Sequence, residues 1–169
     1  MFINLETIPP FYKNYVKQLD DADMITALRI SGFRTSELIH SVPEGKMDYR
    51  YADGKWSIRE VLCHMQDAER IFTYRALRFA RNDKTALAGF EEKDYASQAN
   101  AAGRDLKKLA DEMQHLRSGT IDLFESFTEE MLVRKGTANN NEMSVAALGF
   151  IIAGHETHHR NVLKERYLN

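Results

Sequence analysis

Residues 144–167 read SVAALGFIIAGHETHHRNVLKERY, and this stretch decides the fold class. Side chains three or four residues apart share one face of an α-helix. That spacing aligns a stripe that is apolar apart from two histidines and a terminal arginine: Val145, Leu148, Ile152, His155, His159, Val162 and Arg166. The pattern predicts an amphipathic helix with Ser144 as its N-cap.

Two histidines occupy positions where a core helix normally carries leucine. His155 and His159 are four residues apart, so both imidazoles point the same way from adjacent turns. His158 is rotated by about 100° from His159, so we expect it to face outward. Buried imidazoles need polar partners. A shared metal ion is the simplest partner, and the competing interpretation is a pair of ordinary core histidines.

The rest of the chain predicts a single domain, 1–169, of all-α class. A short helix fits 11–19, and no strand signal is present. The long helices are predicted at 20–42 with Asp20 or Asp21 as N-cap, at 57–81 with a Ser57–Glu60 capping box, at 98–127, and at 144–167. Four long amphipathic helices indicate a four-helix bundle. The 98–127 stripe is predicted to contain Leu106, Leu109, Met113, Leu116, Thr120, Leu123 and Phe127.

The predicted loop at 82–97 bears on the topology, whereas 128–143 is predicted to be a plain polar loop. A helix of about 24 residues is ~36 Å long, and roughly 11 extended residues cover that distance. The 82–97 loop is therefore long enough to return along the bundle. An up-down-down-up order is then as compatible with the sequence as a simple meander.

Composition excludes several functional classes. The 23 basic and 25 acidic residues give a net charge of −2, which does not suggest a nucleic-acid partner. The single cysteine, Cys63, allows no intramolecular disulfide and is compatible with a reducing cytoplasm. The first residues do not resemble a signal peptide, and the apolar run at 145–154 is too short for a bilayer. We therefore expect a cytoplasmic protein without a membrane partner.

A third histidine completes the predicted site. His64 flanks the apolar face of the 57–81 helix, whereas His40 and His115 fall away from the apolar stripes of their helices. Three imidazoles from two helices leave coordination positions open for water or substrate, as in catalytic zinc sites. Zinc, nickel, iron and manganese all accept imidazole, so the spacing alone does not select the metal.

Two other metal sites fit the sequence less well. A carboxylate-bridged di-iron bundle needs Glu-x-x-His on each of two helices. Glu156 and His159 supply one such motif, but Glu60 lies four residues before His64 and breaks the second. His155, Glu156 and His159 also spell the zincin pattern His-Glu-x-x-His, but the helix lacks the other signatures of a protease.

Charged side chains near the histidines are candidates for supporting roles. Asp67, Glu69 and Glu156 are placed to orient ligand imidazoles, although each alone also fits a solvated helix face. Arg75 lies on the side of its helix that carries His64, so it is a candidate contact for an anionic substrate group. Cys63 is predicted to point away from the core stripe, with a structural role or none.

Three segments together resemble a known family. They are KWSIREVLCH at 55–64, YRALRFARND at 74–83 and GHETHH at 154–159. The combination resembles the DinB/YfiT-like superfamily of small bacterial metalloenzymes, which is distinct from the DNA polymerase that shares the name DinB. The resemblance covers roughly 28–167 and is weakest at the N-terminus.

The resemblance implies an up-down-down-up bundle and often a homodimer. It also implies a zinc or nickel site on His64, His155 and His159, and it includes enzymes that conjugate low-molecular-weight thiols to electrophiles. The leading hypothesis is therefore a metal-dependent thiol S-transferase acting on a small-molecule substrate. A metal-dependent hydrolase and a non-catalytic metal-binding stress protein are the alternatives. No fused second domain of the mycothiol-dependent maleylpyruvate isomerases is present, which makes mycothiol a less suitable thiol.

Overall fold

The computed structural model describes residues 4–20 and 23–169, apart from the side chain of Glu44. The α-helices are α1 Pro10–Val16, α2 Met24–Ser41, α3 Ile58–Ala80, α4 Glu92–Gln98, α5 Leu106–Glu125, α6 Glu129–Val133 and α7 Val145–Val162. A π-helical turn, Leu163–Leu168, continues α7, and short 3₁₀ turns occur at Leu5–Thr7, Glu44–Lys46 and Ala101–Gly103. The long helices α2, α3, α5 and α7 form the predicted all-α four-helix bundle.

The helix N-termini follow local capping chemistry. Ser57 accepts a hydrogen bond from the Glu60 backbone N–H while the Glu60 carboxylate accepts one from the Ser57 N–H, so the predicted capping box is confirmed. Ser144 caps α7 as predicted. The prediction that Asp20 caps α2 is wrong, because Asp23 holds that position. The alternative cap, Asp21, lies outside the described residues.

Contacts between α2 and α5 show that these helices run antiparallel. Arg29 pairs with Glu125 at 2.6 Å, and Ser36, two turns further along α2, meets Gln114 at 2.7 Å. Residue numbers therefore rise along α2 as they fall along α5.

Helices α3 and α5 run parallel. Gln66 donates to the Leu109 carbonyl at 3.0 Å, and Thr73 lies 3.3 Å from Thr120, so both residue numbers rise together. The segment between α3 and α5 must therefore return along the bundle, as the length of the predicted loop allowed.

Helix α7 completes the up-down-down-up order. His64 lies against His159 and Phe72 against His155, so α3 and α7 are antiparallel. Ser31 lies beside Arg160 on the remaining face, and α7 runs parallel to α2. The structure therefore has the up-down-down-up order that the length of the 82–97 segment allowed and that the family resemblance implied.

The connections contain structure that the sequence patterns missed. The 82–97 segment is not a uniform loop, because α4 begins at Glu92, and the third long helix begins at Leu106 rather than Gln98. The prediction of a plain loop at 128–143 is also wrong. It contains α6 and an antiparallel hairpin of β1 Lys135–Ala138 and β2 Asn141–Ser144.

The hairpin depends on a two-residue turn and on distant packing. Asn139 and Asn140 both have positive φ, which suits a tight turn between twisted strands. A Cβ atom on Gly136 would lie 2.1 Å from the Phe79 ring, so only glycine lets the hairpin pack on the end of α3. Leu87 pairs with Ala138 and ties the crossing segment to the hairpin.

Helix α7 is the central element of the core. Every residue from Val145 to Thr157 is buried, because α1, α2 and α3 all pack on this helix. In α5 the predicted stripe is partly displaced: Leu116 and Leu123 are only half-buried, whereas Arg117 and Phe124 are buried. None of the helices in the described part of the chain combines the length and apolar character needed to cross a bilayer.

Candidate metal centre

Three of the predicted side chains meet at one point between α3 and α7. The Nε2 atom of His155 lies 3.1 Å from Nε2 of His64 and 3.1 Å from Nε2 of His159. One nitrogen from each ring lies within 4.8 Å of the other two. The cluster forms because His64 projects from α3 toward the face of α7 that carries His155 and His159 on successive turns. His40 and His115 are exposed elsewhere, as predicted.

The spacing of the three nitrogens fits a shared metal ion. Nitrogen ligands lie about 2.0–2.1 Å from zinc, so two ligands of one ion are roughly 2.9–3.4 Å apart at octahedral or tetrahedral angles. Both measured separations, 3.1 Å, fall in this range. Hydrogen bonding alone satisfies the cluster poorly, because one imidazole nitrogen is either a donor or an acceptor and Nε2 of His155 faces two others.

Burial keeps the three imidazoles in the form that binds metal. It lowers the pKa of His64 to about 4. Burial also lowers the pKa values of His155 and His159 well below the ordinary value, and charge on the neighbouring histidines lowers them further. The neutral rings therefore keep a lone pair for a cation near neutral pH.

Aromatic side chains fix the orientation of the rings. Trp56 lies 4.8 Å from His64 between ring centroids, and Tyr15 approaches His155 edge-on at 5.5 Å. The prediction that His158 faces outward is wrong, because α1 covers this side of α7. His158 is half-buried, with its ring 4.9 Å from Tyr15 and its Nδ1 atom 3.4 Å from Nε2 of Gln18.

A recess of about 580 Å³ opens beside His159. Its walls are mainly aromatic and basic, and they include Tyr51, Lys55, Trp56, Lys93, His158 and Tyr167. Among the described residues that line it there is no aspartate or glutamate. We call it the His159 recess. It gives a small molecule access to one side of the histidine cluster, and its lysines present positive charge to that molecule.

The sequence model of the DinB superfamily matches residues 27–163. The chain belongs to the DinB superfamily. The resemblance carried by the three quoted segments is thereby confirmed, and the match spans all four long helices except the first residues of α2.

Two relatives of this DinB-superfamily chain are informative. A protein of Oceanobacillus iheyensis, named "Putative metal-dependent hydrolase OB0413", is 25% identical over 128 residues, which cover 75% of this chain and 73% of the relative. The solved structure of YfiT from Bacillus subtilis, described as "a probable metal-dependent hydrolase with an unusual four-helix bundle topology", matches with a TM-score of 0.76. That match has 17% identity and covers 84% of this chain and 82% of YfiT, so it supports the fold.

Two of the predicted supporting carboxylates in the DinB-superfamily chain contact an arginine instead of a histidine. Glu69 accepts two hydrogen bonds from Arg117, both at 2.9 Å, and Glu156 lies 2.6 Å from Nη1 of the same guanidinium. The contact between Glu156 and Arg117 is an ion pair without a hydrogen bond, because no N–H group of the described residues is aligned with the Oε2 atom of Glu156. The three charged groups are buried beneath the cluster, and the two glutamates line a small void beside His155.

Arg117 is the residue near the site that the sequence patterns missed. It also donates to the Leu28 carbonyl at 2.7 Å and to the Ser31 hydroxyl at 2.8 Å. Arg117 lies four residues after Met113 and three before Thr120, so the sequence places all three on one helix face. The predicted stripe was chosen for apolar residues and therefore contained Leu116 instead of Arg117.

The other predicted residues lie away from the three nitrogens. Asp67 is half-buried and pairs with Arg70 at 3.5 Å. Arg75 lies three turns beyond His64, about 16 Å along the helix. It is buried, and its guanidinium donates to the Ala88 carbonyl at 3.0 Å and lies over the Phe72 ring. The structure therefore does not bring Arg75 to the His159 recess.

Cys63 is buried, so the prediction that it points away from the core is wrong. Helix α5 and the segment before it cover a second face of α3, which adds apolar contacts that the stripe alone did not include. Burial raises the pKa of the thiol, and Arg104 only partly opposes this effect. This thiol is therefore protonated near neutral pH, as befits a structural side chain.

Proposed function

We propose that this chain is a divalent-metal-dependent enzyme in which His64, His155 and His159 hold the ion. The observation that carries the proposal is the meeting of three imidazoles beside an open recess, with Nε2 of His155 lying 3.1 Å from Nε2 of each of the other two. Three protein ligands leave at least one coordination position for a reactant. The names of the two relatives support the same dependence on a metal.

The chain's own residues supply the metal ligands, their orientation and the charge of the recess. A divalent ion in this position supplies Lewis-acid chemistry, which lowers the pKa of a water or thiol that it binds. Trp56 and Tyr15 hold the ligand rings, while Lys55 and Lys93 make the mouth of the His159 recess positive. Zinc and nickel are the ions we expect, because the family resemblance implies one of these two and both suit imidazole nitrogen.

Thiol S-transfer is the reaction that the His159 recess favours. Small cellular thiols carry carboxylate groups, and a wall with two lysines and no acidic side chain attracts such an anion. The chain would position the thiol sulfur at the histidine cluster and direct it toward an electrophile held against Trp56 and Tyr51. The single thiol of the chain, Cys63, is buried elsewhere and does not take part.

Hydrolysis is the second candidate, and two observations favour it. The name of the Oceanobacillus iheyensis protein and the description of YfiT both contain the words "metal-dependent hydrolase". His158 lines the recess next to His159, and burial lowers its pKa, so its neutral ring can accept a proton from a water in the recess. The substrate would again be a small molecule.

Metal content tests the site itself. Elemental analysis of protein purified without a chelating tag should find about one zinc or nickel per chain. His64→Ala should lose most of it, whereas the exposed His115→Ala should keep it. A full equivalent in His64→Ala would overturn the assignment, and wild type free of metal after incubation with several divalent ions would remove the enzyme proposal.

Product analysis separates the two reactions. A thiol transferase consumes added thiol and electrophile in equal amounts and is inactive without thiol. A hydrolase turns over its substrate with water alone and ignores the thiol. A loaded protein that catalyses neither reaction would be a metal-binding protein without turnover. Sedimentation of the same samples measures whether the chain forms the expected homodimer.

A further inference from the structure

A second polar recess lies along α7, between α2 and the end of α1. It has a volume of about 360 Å³, and its polar lining includes Gln18, Asp20, Arg34, Arg160, Asn161 and Lys164. We call it the Arg160 recess. It shares α7 with the histidine cluster but contains none of the three clustered histidines, because Arg160 projects about 100° around the helix from His159.

Arg160 is a buried cation with few partners. The residue is only 5% exposed, and the one hydrogen bond that it makes to the described part of the chain is a long one, of 3.4 Å, to the Ser31 carbonyl. A guanidinium has five N–H donors and no acceptor. Among the side chains described, those of 4–20 and 23–169 apart from Glu44, no carboxylate oxygen lies within 4.0 Å of its guanidinium. Buried arginines normally have a paired anion, because desolvating an unpaired charge is costly.

Arg117 shows what a satisfied arginine looks like in the same bundle. It is 6% exposed, nearly the same as Arg160, yet it contacts both oxygens of Glu69, the carboxylate of Glu156 and two further oxygens. The two arginines lie on helices that pack around α2, so their general surroundings are similar. The difference lies in their partners: Arg117 is held by two carboxylates, whereas Arg160 lines a recess with one long hydrogen bond to a carbonyl.

The charges around the Arg160 recess do not cancel. Among the described residues that line it, three cations, Arg34, Arg160 and Lys164, stand against one carboxylate, that of Asp20. The Asp20 side chain is 81% exposed and reaches Arg34 at 3.4 Å rather than Arg160. Glu156 acts on Arg160 only at longer range, because Arg117 holds it.

We propose that the Arg160 recess is an anion-binding site for a phosphate group, with Arg160 as its buried contact and Arg34 and Lys164 at its rim. The forked donors of a guanidinium match two oxygens of a tetrahedral oxyanion, and charge-assisted bonds of this kind are the strong ones. A dianion matches the excess of two positive charges. This site does not depend on the metal or on the reaction proposed above.

Titration calorimetry with inorganic phosphate, in a buffer of constant ionic strength adjusted with chloride, tests the site on the protein as purified. Wild type should bind about one phosphate per chain. Arg160→Gln should weaken binding at least tenfold, since the hydrogen bonds between a guanidinium and an anion are charge-assisted and strong. Arg34→Gln should weaken it severalfold, and Arg81→Gln, an exposed arginine at the far end of α3, should not change it.

Further variants keep the test decisive. If Arg160→Gln does not fold, the double variant of exposed residues, Arg34→Gln with Lys164→Gln, replaces it and should also weaken phosphate binding at least tenfold. His64→Ala should bind phosphate as wild type does. Glycerol phosphate binding in the same way would assign the site to the phosphate group, and tighter binding would show that the rest of the recess contributes.

Three results would overturn the proposal. The first is no saturable phosphate binding by wild type. The second is binding that survives both Arg160→Gln and the Arg34→Gln, Lys164→Gln pair. The third is binding that is lost in His64→Ala but kept in Arg160→Gln, which would place phosphate at the histidine cluster. These outcomes are independent of the proposed function, because phosphate binding is measured without any enzymatic reaction.

Discussion

The Nε2 atoms of His64 and His155 lie 3.1 Å apart although 91 residues separate the two histidines in the chain. Their meeting depends on the antiparallel packing of α3 against α7. His159 joins them from the next turn of α7 at the same 3.1 Å distance from His155. The Nε2 atom of His155 thus lies 3.1 Å from the Nε2 atom of each of the other two, which makes His155 the most informative histidine to remove.

Replacing His155 by alanine should weaken metal binding far more than replacing His158. Loss of an outer-shell partner typically costs 10–100-fold in metal affinity, so loss of a ligand should cost about a hundredfold or more. His158→Ala is the matched control because it lies on the same helix but outside the cluster. A competition titration with a chromophoric chelator measures both affinities. Equal affinities in the two variants would contradict the ligand assignment.

The metal-free protein should lose stability as the pH falls from about 6.5 to about 4. His64 has a folded pKa of about 4 against 6.5 in the unfolded chain, so the unfolded state binds more protons in that window. Burial shifts His155 and His159 in the same direction. Stability is therefore full above pH 6.5 and falls as the pH drops. His64 alone accounts for roughly 3 kcal/mol, at about 1.4 kcal/mol for each tenfold change.

Urea unfolding of chelator-treated protein at several pH values measures this slope. His64→Gln should flatten the dependence between pH 6.5 and 4, whereas His115→Gln, on the exposed side of α5, should leave it unchanged. A wild-type profile that is flat through this window would show that the cluster accepts protons readily in the folded state.

The clustering of the three histidines was predictable because it depends on local geometry. His155 and His159 share a face of one helix, and His64 flanks the apolar face of another, so bundle formation turns them toward one another. The topology was accessible for a similar reason: a crossing segment of this length permits parallel α3 and α5. Loop length and helix period are properties that a sequence displays directly.

Features that rest on distant contacts were not predictable in the same way. The hairpin at 135–144 is short and polar, and it is held by Phe79 and Leu87 from other parts of the chain. Arg117 is buried because Glu69 and Glu156 arrive from two other helices. Neither the hairpin nor the buried arginine produces a periodic pattern of apolar residues in its own segment, because the residues that stabilise each of them lie far away in sequence.

Removing the Arg117 cation should destabilise the bundle strongly. Arg117→Met leaves the carboxylates of Glu69 and Glu156 buried without their partner. Breaking a buried ion pair by removing one member typically costs about 3–5 kcal/mol. The triple variant with Glu69→Gln and Glu156→Gln should recover part of the loss, because no uncompensated charge remains. Urea unfolding at pH 7.5 compares the variants.

The exposed pair Arg29 and Glu125 provides the control for this comparison. It also pairs an arginine with a carboxylate, here between α2 and α5 at their outer surface, and each side chain is about half exposed. Arg29→Met should therefore cost less than about 1 kcal/mol. Similar losses from Arg29→Met and Arg117→Met would show that burial of the Arg117 cluster adds nothing to its contribution.

Gly154 should be intolerant of even a methyl group, because α1 crosses α7 at this point. A Cβ atom there would lie 2.8 Å from the backbone carbonyl of Tyr15 and 2.9 Å from the Val16 nitrogen, and backbone cannot yield as a flexible side chain can. Gly154→Ala should destabilise the protein by about 1–3 kcal/mol. It should also weaken metal binding, since displacing α1 moves the Tyr15 ring that packs on His155.

Gly119→Ala is the matched control for this last variant. Gly119 is also within a long helix, but it is exposed and nothing lies within 4 Å of the position of its missing Cβ. Alanine should therefore stabilise α5 by up to about 1 kcal/mol, the ordinary gain over glycine in a helix. Urea midpoints that move in opposite directions, with metal affinity reduced only in Gly154→Ala, are the expected result. A stabilising effect of both substitutions would mean that α1 does not press on α7 next to the histidines.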